Sequence, residues 1–184
     1  MLNPILSSMK WYLVKMEHAI EQILNVPPPA NSKLLRLNYG LYIESIFSLV
    51  DYLKDSNINI IPDLQVSLEK QGDNTYYYFR ELRNSIIHRG FDLSPQGRII
   101  DNKVLLTTPY QVTNKNDKLC DTPKEKILLK ALLYFDLALR KVIASRVRIM
   151  GLLDKKDIDE EETKQKTING FLLSDAPDYV KTFF

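Results

Sequence analysis

The chain has 184 residues, of which 45% are hydrophobic and 26% charged, the balance of one soluble globular domain and too apolar for a disordered one. It carries 25 Lys and Arg against 23 Asp and Glu, a formal charge of +2, so no overall field points to nucleic acid or a membrane. One cysteine, Cys120, and two histidines, His18 and His88, exclude a disulfide framework, a thiolate zinc cluster and a multi-histidine metal centre.

The near-neutral total hides a local bias. Residues 154–162, DKKDIDEEE, hold six acidic and two basic side chains, which leaves 23 basic and 17 acidic elsewhere, a surplus of six. No uninterrupted apolar stretch reaches the roughly 18 residues needed to span a bilayer. The start lacks the basic and apolar regions of an export signal. With a single cysteine, these features predict a soluble cytoplasmic protein without membrane contact.

The first predicted element is a helix over residues 3–25, where Ile5, Met9, Leu13, Met16, Ile20 and Leu24 recur at three- and four-residue steps. Val26-Pro27-Pro28-Pro29 ends it, because a proline disfavours helix in the residue before it. Asn31 or Ser32 caps a second helix to about Leu53, whose wide apolar stripe predicts packing on two sides. A short helix follows over residues 62–70. Asp73-Asn74-Thr75 caps the next, over residues 76–89, and Gly90 stands where a left-handed residue closes a helix.

Beyond Gly90 the pattern changes. Arg98-Ile99-Ile100 and Val104-Leu105-Leu106 flank Asp101-Asn102-Lys103, as in a small β-hairpin. Thr122-Pro123-Lys124-Glu125 has the form of a capping box with proline at the first helical position, and predicts a long helix from there to Met150 or Leu153. The expected fold is all-α, an antiparallel bundle of four to five helices with a hairpin-like insertion. The expected bundle spans residues 1–153. Residues 154–184 form an acidic, then mixed tail with a short docked helix.

One constellation can carry chemistry. Residues 79–91 read Phe-Arg-Glu-Leu-Arg-Asn-Ser-Ile-Ile-His-Arg-Gly-Phe. Asn84 and His88 are one helical turn apart and share a face, with Arg80 one turn earlier. Histidine titrates near neutrality, so it can take a proton from a ribose 2′-OH or return one to a 5′-oxygen. Arginine offers a planar fork of donors to phosphate oxygens. Asparagine can orient either partner. Such a set cleaves RNA without a metal or cofactor, and does not serve DNA, which lacks the 2′-OH.

The spacing by itself is common: with 8 arginines and two histidines, roughly one such chain in ten places an arginine five before a histidine by chance. Arg83 also has Glu44 or Glu81 as partners for an ordinary surface ion pair.

The run Glu81-Leu82-Arg83-Asn84-Ser85-Ile86-Ile87-His88-Arg89-Gly90 resembles the Arg-x4–6-His motif of the HEPN superfamily, including its frequent Asn after the Arg. The setting is similar too, with the motif at the end of the third long helix of an all-helical chain. The resemblance implies a metal-independent endoribonuclease, of toxin or anti-phage type, that pairs as a homodimer so that two motifs share a cleft. It implies Arg83 and His88 as catalytic residues and Asn84 as their polar support; Arg80 and Arg89, next to these on the same helix end, are candidate phosphate contacts by position. RNA is then the substrate, and an antitoxin or nucleotidyltransferase a partner. HEPN toxins paired with a nucleotidyltransferase often carry Tyr two residues after the His; Gly90 stands there, so modification of that Tyr does not carry over. The alternative is a HEPN-like module that binds nucleotide, RNA or a protein without chemistry.

Other features have plainer readings. Tyr76-Tyr77-Tyr78 can stack on bases, yet consecutive helical residues point three ways, so at least one faces the core. Arg140, Lys141, Arg146 and Arg148 read as a solvated helix face, with a row that tracks a phosphate backbone as the alternative. His18 lies beside Glu17 and Glu21 as a surface residue, and Cys120 lacks a neighbouring base and reads as inert.

Overall fold

A computed structural model describes residues 4–25, 32–69, 72, 74–100, 103–151, 156, 159–160 and 162–166. The apolar steps read along the chain become helices α1 (Pro4–Leu24), α2 (Ser32–Asp55), α3 (Ile61–Leu68), α4 (Thr75–His88) and α5 (Leu128–Ile149). Together they make an all-α bundle. Among the described residues no helix is long and apolar enough to cross a membrane.

Helix α2 is the hub, as its wide stripe requires. Tyr52 at its C-terminal end donates a hydrogen bond to the Pro4 carbonyl at the start of α1 (3.5 Å), so α1 and α2 run antiparallel. Along α4 the register also reverses: Arg36 of α2 meets Ile86, Glu44 meets Arg83, and Phe47 meets Tyr76. Between α2, α4 and α5 lies an aromatic cluster in which Phe135 packs against Phe47, Tyr76 and Phe79 with ring centroids 5.5–6.3 Å apart. Burying each such ring stabilises the fold by about 1.5–3 kcal/mol.

Helix α5 does not begin where its capping box predicts. Residues 122–127 stay outside it, and extended Ile127 (φ −96°, ψ 118°) is the N-cap. The reason is non-local. Thr108 donates its backbone N–H to Lys126 O (2.8 Å) and its hydroxyl to Glu125 O (2.9 Å), and Thr107 bridges Ile127. Those carbonyls are then unavailable to a helix, and Glu125 turns its carboxylate to the Ile127 N–H instead (3.0 Å).

The start of α4 differs as well. Asn74 occupies the N-cap but makes no capping bond; its side-chain amide donates to Asp121 (2.8 Å). Thr75 turns its hydroxyl to Gly72 O (2.8 Å), and Asp73 lies outside the described residues, as does the proposed cap Asn31. After α4, β1 (Gly97–Ile100) and β2 (Lys103–Leu106) pair antiparallel from Gly97↔Leu106 to Ile100↔Lys103. Residues 101 and 102 lie outside the described residues.

The basic row of α5 is not a uniform solvated face. Arg140 is 2% exposed and Asp136 0%. Arg140 Nε donates to Asp136 at 2.7 Å, and the Tyr42 hydroxyl donates to the other carboxylate oxygen at 2.9 Å. Glu17 of α1 completes the group at 3.5 Å from Arg140. Burial pushes the Asp136 carboxyl above the usual carboxylate range, against the pull of Arg140 and Tyr42. Near the end of α5, Arg146 pairs with Asp63 of α3 and Arg148 with Glu162. Lys164 reaches back to Glu17 (2.8 Å), so residues 162–166, helical in the described part of the tail, are tied to α1 and α5. Tyr179, Phe183 and Phe184 lie outside the described residues.

Candidate active site at the C-terminal end of helix four

Helix α4 is two-faced because its apolar and polar residues segregate at about 100° per residue. Tyr76, Tyr78, Phe79, Leu82 and Ile86 turn inward and are buried. Arg80, His88 and Arg89 are exposed, and Arg83 and Asn84 are half-buried. Of the three tyrosines only Tyr77 stays available at the surface, 51% exposed; Tyr78 spends its hydroxyl on Pro109 O (2.6 Å).

Gly90 ends the helix at φ +71°, the left-handed conformation that lets the Arg89 and Phe91 N–H groups both reach Ser85 O (3.2 and 2.9 Å). Gly90→Ala should destabilise the protein by about 1–2 kcal/mol, the cost of a Cβ in that conformation. A urea unfolding midpoint unchanged by the substitution would contradict this.

Arg83 leans off the exposed face towards α2. Its Nε and Nη2 donate to the two oxygens of Glu44 at 2.7 and 3.0 Å, a bidentate pair across 39 residues of sequence. Ser48, one turn along α2, donates to Glu44 as well (3.3 Å). The Arg83 hydrogen bonds hold the Glu44 carboxyl below its ordinary range, with Ser48 and the nearby His88 charge adding to the effect. The same bonds hold Arg83 above its own. Both partners are therefore fully ionised at neutral pH. Glu44 and Glu81 were equal candidates by sequence; the structure selects Glu44.

The two other arginines at this helix end have structural tasks. Arg89 donates to Thr113 O (2.7 Å) and pairs with Glu81 (3.1 Å), so its guanidinium clamps the 107–127 loop onto α4. Arg36, a residue that sequence reasoning missed, donates to Ile86 O (3.0 Å) in the last turn of α4, where a cation also suits the helix dipole. A signal for it existed: Arg36, Gly40 and Glu44 are spaced by four along one face of α2. The two helices pass closely at Gly40, where a Cβ would lie 3.4 Å from Ile86 Cγ2, about van der Waals contact.

No family model matches the chain, nor does any curated protein or solved structure.

Arg80, Asn84 and His88 stand on the outer side of α4, with Arg83 turned to α2 on one flank and the loop that Arg89 holds on the other. Among the described residues neither Asn84 nor His88 spends its side chain on an internal hydrogen bond. Imidazole, amide and the exposed Arg80 guanidinium therefore remain available to an outside ligand. His18 is exposed on α1. Burial pushes the Cys120 thiol up, which disfavours a reactive thiolate. Among the described residues no group of three or more His, Cys, Asp and Glu is placed to hold a metal ion.

Proposed function

We propose that the chain is a HEPN-type endoribonuclease that cleaves RNA by internal transesterification without a metal ion. The observation that carries this reading is the end of α4, where Asn84 and His88 face outward, Arg83 stands on the flank against Glu44 of α2, and the other face builds the core. In the reaction the 2′-oxygen bonds to phosphorus and the bond from phosphorus to the 5′-oxygen breaks. His88 takes the 2′-OH proton or supplies one to the leaving 5′-oxygen. Arg83 stabilises the added charge on the phosphoryl oxygens, Asn84 orients the phosphate or the imidazole, and Arg80 holds a neighbouring phosphate. Arg89, committed to Thr113 and Glu81, serves chiefly by fixing the helix end.

The resemblance extends the proposal to a cytoplasmic homodimer with two motifs in one cleft, acting as a toxin or anti-phage effector under an antitoxin or nucleotidyltransferase partner. Ile87, inside the motif, is 42% accessible and would lie on such a face.

The purified protein should cut single-stranded RNA in the presence of EDTA and leave 2′,3′-cyclic phosphate and 5′-hydroxyl ends. RNA that stays intact, with and without divalent cations, would defeat the enzymatic reading. One observation favours the non-catalytic alternative: the Arg83 fork is occupied by Glu44, as in an ordinary ion pair. Saturable RNA binding with no cyclic-phosphate product would then be the outcome.

A further inference from the structure

Resting on that RNA reading, we propose that Glu44 is the resting counter-ion of Arg83, exchanged for an RNA phosphate when substrate arrives. The contact occupies the Nε–Nη2 edge of the guanidinium with two carboxylate oxygens at 2.7 and 3.0 Å. A phosphodiester offers two non-bridging oxygens to the same fork. Carboxylate and phosphate therefore compete for one edge of one side chain.

The exchange is feasible because the pair is only partly buried: its side chains are 22% and 35% exposed, so an incoming anion can reach the guanidinium. Glu44 is not stranded when Arg83 leaves it. The Ser48 hydroxyl already donates to it at 3.3 Å, and His88 is close enough for its charge to favour the carboxylate. An incoming phosphate meets Arg80 on the same helix as well as Arg83, so it brings more than one contact to the competition.

Acid does not open the contact under ordinary conditions, because Arg83 holds Glu44 ionised below the usual carboxylate range. The trigger has to be a competing anion. Until one binds, Arg83 is neutralised, and the helix presents less positive charge than its sequence implies. This gives weak attraction to arbitrary phosphates and full engagement only where a strand fits the whole site.

The test is an affinity comparison that does not depend on turnover. A fluorescent single-stranded oligoribonucleotide, 2′-O-methylated throughout so that it cannot be cut, is titrated with wild type, Glu44→Gln, Arg83→Ala and the double variant over a series of salt concentrations. Glu44→Gln keeps the shape of the side chain, and circular dichroism with thermal melting checks that it folds like wild type. Glu44→Gln should bind about three- to tenfold more tightly, because the phosphate then reaches Arg83 without displacing a carboxylate. The gain should vanish in the double variant. Binding by Glu44→Gln that is equal to or weaker than wild type overturns the exchange and leaves the RNA reading standing. So does a gain that survives Arg83→Ala, which would be bulk charge alone. Absence of binding by every variant, Glu44→Gln included, overturns the exchange and the RNA reading together.

Discussion

Replacing His88 with alanine should reduce RNA cleavage by about 10²–10⁴-fold, the usual contribution of a positioned general acid or base, while the fold is kept. The structure separates these effects. His88 is exposed in the last turn of α4, so its loss opens no cavity, and alanine is the better helix former. What folding loses is the favourable charge at the helix C-terminus, worth about 0.3–1 kcal/mol when the imidazole is protonated. Initial rates on a labelled single-stranded RNA, measured beside a thermal melt, check both halves. Cleavage that persists at the wild-type rate in a well-folded His88→Ala protein would remove His88 from the chemistry. A fall in rate accompanied by loss of helix would assign it a structural role instead.

The largest effect on stability belongs elsewhere in the bundle. Asp136→Ala should cost about 3–5 kcal/mol, because it strands the Arg140 guanidinium without its main counter-charge in the core. Both side chains are almost wholly enclosed, 0% and 1% exposed, so solvent screening does not soften the loss. Glu17 at 3.5 Å is too distant and too solvated to substitute fully. Removing the network as a unit, by Asp136→Leu, Arg140→Met and Tyr42→Phe together, should cost less, since the buried carboxylate, guanidinium and phenol then go together. Urea unfolding of the two proteins makes the comparison. An Asp136→Ala variant within about 1 kcal/mol of wild type would show that the pair contributes little to the fold, below the range for broken buried pairs. The network joins α1, α2 and α5, and its satisfied geometry fixes how those helices meet.

How much of this is legible in the sequence depends on the range over which each signal acts. The helices are local: Leu64 and Leu68 of α3, or Met9 and Met16 of α1, lie at helical steps and are buried. The position of the motif at the end of α4, with Gly90 just beyond, is local too. The start of α5 departs from its local signal for the opposite reason. Thr122 and Glu125 satisfy the local rule for a cap, but Thr107 and Thr108 take the backbone of residues 125–127 first.

Charges were the hardest to place. Asp136 and Arg140 are spaced as an i, i+4 pair, readable from sequence, yet nothing local tells that Tyr42 closes over them, 94 residues away. Arg83 finds Glu44 across 39 residues and Arg36 reaches Ile86 across 50. Whether an arginine is bait for phosphate or a strut for backbone is decided by such distant partners. The number of arginines near a motif therefore overstates its appetite for phosphate.

The last turn of a helix ordinarily frays, because its carbonyls have no partners within the helix. Here Arg36 grips one of those carbonyls from α2, and Arg89 fastens the same end to the following loop. The platform under Asn84 and His88 is thus stiffened during folding, before any ligand is present. A strand that lands on it surrenders its own freedom but need not also freeze the protein, so more of the contact energy is left for discrimination between substrates.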